Sequence, residues 1–295
     1  MAATRWTALP SMSVIAATGR DARAFLQGQL TNDLLPVDRH PGMLAAACNR
    51  QGRVIATLRL AARGEEVQLV LPRAMAPFVV AHLARFVLRA SVDFTDSRHA
   101  VLGLMDAEPA LQSAAAAAGL IVLVASPSRT LLVGDPATAQ SVLADLPSST
   151  AGDWERASIE DGEPMVCPET SGVWVPQMLN LDLLGAISFS KGCYLGQEIV
   201  ARAQHLGRIK RRMLRYCAPP GAAPAPGQLL YAGAAPAAQV VRASDHGGVQ
   251  CLAVVELADC GELLGARPGG AEFVPSDLPY AIPAAAAEGA MLPAV

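Results

Sequence analysis

Aromatic side chains are scarce in this 295-residue chain: six Phe, four Tyr and three Trp, 4 % of the residues. A core with so few rings has to be filled by Ala, Val and Leu, within an apolar content of 52 %. Charge is also sparse, at 17 %, and nearly cancels to a formal net of −3. No global field therefore draws the protein to nucleic acid or to an anionic membrane, and any such contact has to be local. Long apolar runs are missing. The longest, residues 114–125, falls short of the roughly 20 needed to cross a bilayer, and Gly119 divides it into a helix end and a strand. Ahead of Pro10 and Ser11 the N-terminus carries only Arg5 and a weak apolar stretch, which does not resemble a cleaved signal. A cytoplasmic protein with no membrane partner is expected.

Cysteine pairing is absent as well. Cys48, Cys167, Cys193, Cys217, Cys251 and Cys260 form no C-x-x-C or C-x-x-x-C spacing, so cysteine-rich zinc and simple iron–sulfur ligation patterns are unsupported and no metal site is expected. Without a secretion signal a disulfide framework is not expected either, and burial as small hydrophobes should account for most of the six. Neither a phosphate-cradling G-x-x-x-x-G-K-[ST] nor a Rossmann fingerprint occurs.

The length implies two or three compact units. A β-prone run at 13–18 ends at Gly19, and Asp21 opens a helix with Ala22, Phe25, Leu26 and Leu30 on one stripe. Strands follow at 43–48, 53–61 and 67–71, then a helix at 74–88 with Phe78, His82, Phe86 and Val87 near one face, and a strand at 91–95. This order resembles the split βαβ, or ferredoxin-like, unit. From Ala100 the pattern restarts: strand 101–105, helix 109–118, strands 120–125 and 130–133, helix 137–146. A helix at 154–161 starts near Asp153, a candidate N-cap. Beyond Arg212, short strands at 213–218, 228–232, 238–243 and 249–257 suggest a small barrel or sandwich.

Chemistry concentrates in "SFSKGCYLGQEIVARAQHLGRIKRR", Ser188 to Arg212. Cys193 reads two ways. It can be one more inert cysteine, or a thiol whose ionised form is favoured by Lys191 and by a helix N-terminus near Gly196. Gly192 and Gly196 suit an unusual loop backbone. Gln197 and Glu198 either satisfy the first turn of that helix or serve a ligand, Gln197 at a heteroaromatic edge and Glu198 by orienting Lys191 or Arg202. Glu160, at a helix C-terminus where a carboxylate is unfavourable, is either solvated or committed to an amino-pyrimidine partner. The run Arg202, Arg208, Lys210, Arg211, Arg212 either faces water or binds anions.

The stretch "VWVPQMLNLDLLGAISFSKGCYLGQEIVARAQHLGRIKRRM", with its K-G-C-Y-x-G-Q-E core, closely resembles the signature of the YgfZ family, and "TGRDARAFLQGQLTNDL" and "NRQGRVIATLRL" are similar to it too. These are folate-binding relatives of the T protein of the glycine cleavage system, implicated in maturing or repairing iron–sulfur enzymes. The resemblance implies an α+β fold: two ferredoxin-like units and a C-terminal β-barrel, arranged as a ring around a folate channel. The units would be 1–100, partly interleaved with the second, then 101–208 with the signature, 209–283 as barrel, and a loose tail at 284–295.

It also implies tetrahydrofolate or a derivative as cofactor, with Cys193 as the residue on which activity depends and Lys191 beside it. Trp154 would contact the pterin and Glu160 would anchor it, while Tyr194, Gln197 and Arg202 complete the expected folate set on the Gly192, Gly196 and Glu198 backbone. Met12 stands where some members carry a second aromatic. The expected partners are iron–sulfur enzymes, their assembly factors and enzymes that modify tRNA. Two rivals remain. One is a one-carbon transferase, against which stands Ala56-Thr57 in place of the transferases' aspartate pair, with only Arg53 and Arg59 nearby. The other is a direct tRNA binder using the basic run, against which stand the acidic net charge and the lack of interleaved aromatics.

Overall fold

Strands rich in Ala and Val leave little side-chain bulk on either face, and here two sheets stack directly on one another. The computed structural model describes residues 3–205, 209–259, 261, 263–266 and 272–283. The first half runs β1 (Arg5–Ala8), β2 (Met12–Thr18), α1 (Ala22–Gln27), β3 (Met43–Cys48), β4 (Val54–Arg63), β5 (Glu66–Pro72), α2 (Ala76–Ala84) and β6 (Asp93–Asp96). It continues with β7 (Ala100–Met105), α3 (Pro109–Ala117), β8 (Ile121–Ser126), β9 (Arg129–Gly134), α4 (Pro136–Leu143), α5 (Ala151–Glu160) and α6 (Gln197–His205). The end is all β: β10 (Arg211–Ala218), β11 (Leu229–Ala232), β12 (Ala235–Ser244), β13 (Val249–Glu256), β14 (Leu264–Gly265) and β15 (Glu272–Ser276).

One antiparallel sheet has the order β3-β4-β5-β2-β6, the second has β1-β7-β9-β8, and β10-β13-β12-β11-β14-β15 closes into a barrel. The second repeat, read from the sequence as strand–helix–strand–strand–helix, lacks a closing strand. β1 supplies it from the other end of the chain, pairing Trp6 with Leu104 and Thr7 with Gly103. Closure of the late strands into a barrel leaves them no open edge.

Period-two alternation assigns each face. Ile15, Ala17, Leu58, Leu60, Leu69 and Leu71 pack under α1 and α2, whereas Val14, Ala61 and Val70 meet Met105, Leu123, Leu131 and Trp154 of the second layer. Two details depart from the sequence reading. α2 stops at Ala84 and buries Ala76, Val79 and Leu83, the set spaced at 3.6 residues, so that Phe78 is left 53 % exposed. α5 starts earlier than expected: Thr150 is its N-cap, and Asp153 closes a capping box as the third helical residue. Among the described residues no helix is long and apolar enough to cross a membrane.

Candidate functional site

Arg59 on β4 and Arg129 on β9 come from different sheets and converge on one carboxylate, Glu163, in the turn after α5. Arg59 donates through Nε to Glu163 Oε1 at 3.2 Å and approaches Oε2 at 2.8 Å through Nη2. Arg129 donates to Glu163 Oε2 at 2.5 Å, to Asp161 Oδ2 at 2.5 Å and to Ser158 Oγ at 2.7 Å. Burial alone would raise the Glu163 pKa, but the two guanidiniums outweigh it and hold the carboxyl well below the usual range. A third cation, Arg242 on the barrel strand β12, grips Glu155 of α5 and donates to the Glu163 carbonyl at 3.1 Å. Six buried or half-buried charges thus tie both sheets, α5 and the barrel together around Glu163.

Glu163 lies at the floor of a cleft of about 750 Å³, lined among others by Asn32, Arg39, His40, Arg59, Arg129 and Glu163 itself. A narrower compartment of about 50 Å³ shares Leu44, Arg59, Arg129 and Glu163 with it and adds Met12, Thr57 and Trp154. The indole of Trp154 lies against Gly103, where even a β-carbon would sit 2.4 Å from the ring, and the Arg129 guanidinium stands 5.0 Å from its centroid. Met12 shares this compartment. Thr57 occupies it where a carboxylate was missing from the sequence; its hydroxyl contacts the Pro164 carbonyl and the Val166 amide, while Ala56 is buried under the helices.

The structure does not bring Glu160 into the cleft. Its carboxylate pairs with Arg156 at 2.9 Å and accepts from Gln250 at 3.1 Å, and it is absent from the lining of both compartments. Six positions on a helix turn it about 120° away from Trp154. The cleft carboxylates are Glu163 and Asp161, which lie beyond the helix end where no periodicity could rank them.

The signature loop packs outside this lining. Lys191 donates its ammonium to three carbonyls at the end of α1, those of Gln27 at 2.6 Å, Asn32 at 2.8 Å and Leu30 at 2.9 Å. Burial pushes its pKa down to about 8, with Asp33 opposing, so the cation persists at neutral pH. Asn32 lines the cleft and donates to the Leu44 and Gly185 carbonyls, both 2.8 Å away. Lys191 therefore pins the loop to the cleft rim from behind. Lys191→Met should leave three carbonyls without a donor and lower stability by about 2–3 kcal/mol, measurable as a shift in the urea midpoint.

Gly196 has φ +84°, and an added β-carbon would stand 2.5 Å from the Asn49 carbonyl oxygen, so the loop meets the β3–β4 turn through a residue only glycine can supply. Gly192 has neither positive φ nor a close neighbour, so its expected backbone role is not seen. Gln197 accepts from the Tyr194 amide at 3.2 Å, closing the turn that starts α6. Glu198 pairs with Arg202 at 3.5 Å on the exposed face. Tyr194 is buried, its ring 5.3 Å from the Lys191 ammonium. None of Tyr194, Gln197 and Arg202 lines the cleft.

Cys193 stands apart. It is the one exposed thiol among the described cysteines. Burial as the common fate holds only for Cys48 and Cys251, whose thiols are pushed up to about 12. Cys260 and Arg208 lie outside the described residues. Of the described rest of the basic run, Arg212 is buried in a two-pronged bond to Asp182, at 2.7 and 2.9 Å, Arg211 binds Glu256 on the surface, and Lys210 is exposed.

Among described residues no cluster of metal-ligating side chains forms, and no protein-family model matches the chain. By sequence it is 31 % identical over 225 residues to the tRNA-modifying protein YgfZ of Colwellia psychrerythraea, covering 70 % of this chain and 69 % of that one. It is also 31 % identical over 246 residues to the YgfZ of Yersinia enterocolitica, covering 75 % and 73 %. By structure it is similar to the glycine cleavage system aminomethyltransferase T of Bartonella henselae, with a TM-score of 0.73 and 16 % identity over 94 % of this chain and 86 % of that one. By these likenesses this chain belongs to the YgfZ family, built on the fold of aminomethyltransferase T.

Proposed function

We propose that the protein is a cytoplasmic, tetrahydrofolate-binding accessory factor for iron–sulfur enzymes, those that modify tRNA among them, with Cys193 as its reactive thiol. The observation that carries the reading is the lining of the cleft: Trp154 and the Glu163 turn within, Arg39 and His40 at the outer end. Its size lies in the range of small-molecule sites. Glu163 Oε1 takes one described bond, from Arg59, and so keeps a lone pair for an N–H of the pterin. Arg39 is exposed and makes no ion pair among the described residues, which suits the glutamate carboxylates of the folate. When bound, a reduced folate supplies nitrogens that carry one-carbon units. The chain's own residues hold the ring at Trp154, Met12 and Glu163 and the acidic end at the mouth.

Aminomethyl transfer is not favoured, because Thr57 offers no carboxylate to activate a folate nitrogen. Direct tRNA binding is not favoured either, since Arg211 and Arg212 are already paired.

Trp6 and Trp174 lie outside the cleft lining, so fluorescence isolates the contact. Anaerobic titration with tetrahydrofolate should quench the emission of the natural protein, and Trp154→Phe should remove most of that quench. Equal quenching in both proteins would place the pterin elsewhere.

A further inference from the structure

Residues 278–280, close to the end of the described chain, lie across the turn that carries both cleft carboxylates. The Tyr280 hydroxyl donates to the Gly162 carbonyl at 2.8 Å and accepts from Asn180 Nδ2 at 3.3 Å. Gly162 has φ +65°, and a β-carbon there would lie 2.6 Å from the Tyr280 hydroxyl and 2.7 Å from Leu278. Both its conformation and the segment above it therefore require glycine. Its neighbours Asp161 and Glu163 are the two carboxylates that bind Arg129 among the described residues. Pro279, between the two anchors, lines the cleft.

We infer that residues 278–280 form a wall of the ligand cleft, with Tyr280 the positioning residue that sets the Asp161–Gly162–Glu163 turn and, through it, the Arg129 guanidinium; the ligand's identity rests on the folate reading above. Among the described residues, the other bonds to the turn come from α5 on one side and from the guanidiniums on the other. Asn180 would keep its bond to the Met213 carbonyl at 2.7 Å if the hydroxyl were removed, so Tyr280→Phe deletes the Gly162 contact and leaves the apolar anchor in place. Burial pushes the phenol up to about 12, which keeps it a donor at neutral pH.

Two readouts separate this role from general support. The first needs no folate: solvent exchange of the Arg129 Nε proton, followed by NMR, with the Arg242 Nε proton as internal reference. In Tyr280→Phe the Arg129 exchange should accelerate about fivefold, the worth of one net hydrogen bond, while Arg242 stays as it was and the melting temperature moves little. Unchanged Arg129 exchange would overturn the positioning role. The second is tetrahydrofolate affinity, which should fall by a similar factor. If the natural protein binds folate and the variant binds it equally well, the wall has no part in the site. If the natural protein binds no folate, the folate reading fails, and the Arg129 exchange still decides what Tyr280 does.

Discussion

Glu163→Gln is expected to destabilise the folded protein by about 3 kcal/mol at pH 7, because it leaves buried guanidiniums without their shared anion. The shape is conserved, so the loss comes from charge and not from a cavity. Arg129 keeps Asp161 at 2.5 Å, but Arg59 has no other carboxylate among its described partners, only the Gly42 and Ala125 carbonyls. The pH dependence follows from the same contact. The Glu163 pKa is depressed in the folded state, so the unfolded chain takes up the proton first. Its stabilisation is complete above about pH 4.5, the unfolded range, and is lost as pH falls toward the folded value. Urea midpoints of the two proteins should differ most at neutral pH and draw together below about pH 4. A constant gap across that range would mean that the carboxyl has the same pKa in the folded and unfolded chain.

The second large effect falls on function and spares the fold. Cys193→Ser removes an exposed thiol and should alter stability by no more than about 0.5 kcal/mol, as surface changes do. It should nevertheless abolish rescue of a strain deficient in iron–sulfur enzyme activity. Rescue equal to that of the natural protein would remove the thiol from the account. Alkylation under native conditions offers a companion check. Cys193 should react ahead of Cys48 and Cys251, whose burial keeps them protonated far above neutral pH.

Much of the fold was legible because its signals are local. Alternating apolar residues marked β3 to β5 and β7 to β9, and turn residues marked the barrel strands. β1 was not legible. Its four residues carry no pattern of their own, and their partners lie in β7, about a hundred residues away. The face of α2 was misread because Phe78 and Phe86 outweighed the smaller Val79 and Leu83, whose spacing decides burial.

In the site, Cys193 and Trp154 could be named only from the resemblance; the first is exposed and the second lines the narrower compartment. Glu160 drew attention as a carboxylate at the wrong end of a helix, yet Arg156 four residues earlier and Gln250 from the barrel answer that need. Glu163 has no such local mark. Its importance arises from Arg59 and Arg129, which are 104 and 34 residues distant and converge only when the sheets stack. Lys191 looked like a cation for the thiol; the carbonyls that claim it belong to the last residue of α1 and the turn after it, beyond any sequence window.

The proposed function requires the cleft to take a reduced folate. Anaerobic calorimetric titration of the full chain with tetrahydrofolate tests this most directly. The predicted result is one saturable site per chain, weakened in Trp154→Phe and in Glu163→Gln under conditions where both remain folded. A flat titration of the natural protein at millimolar folate would contradict it.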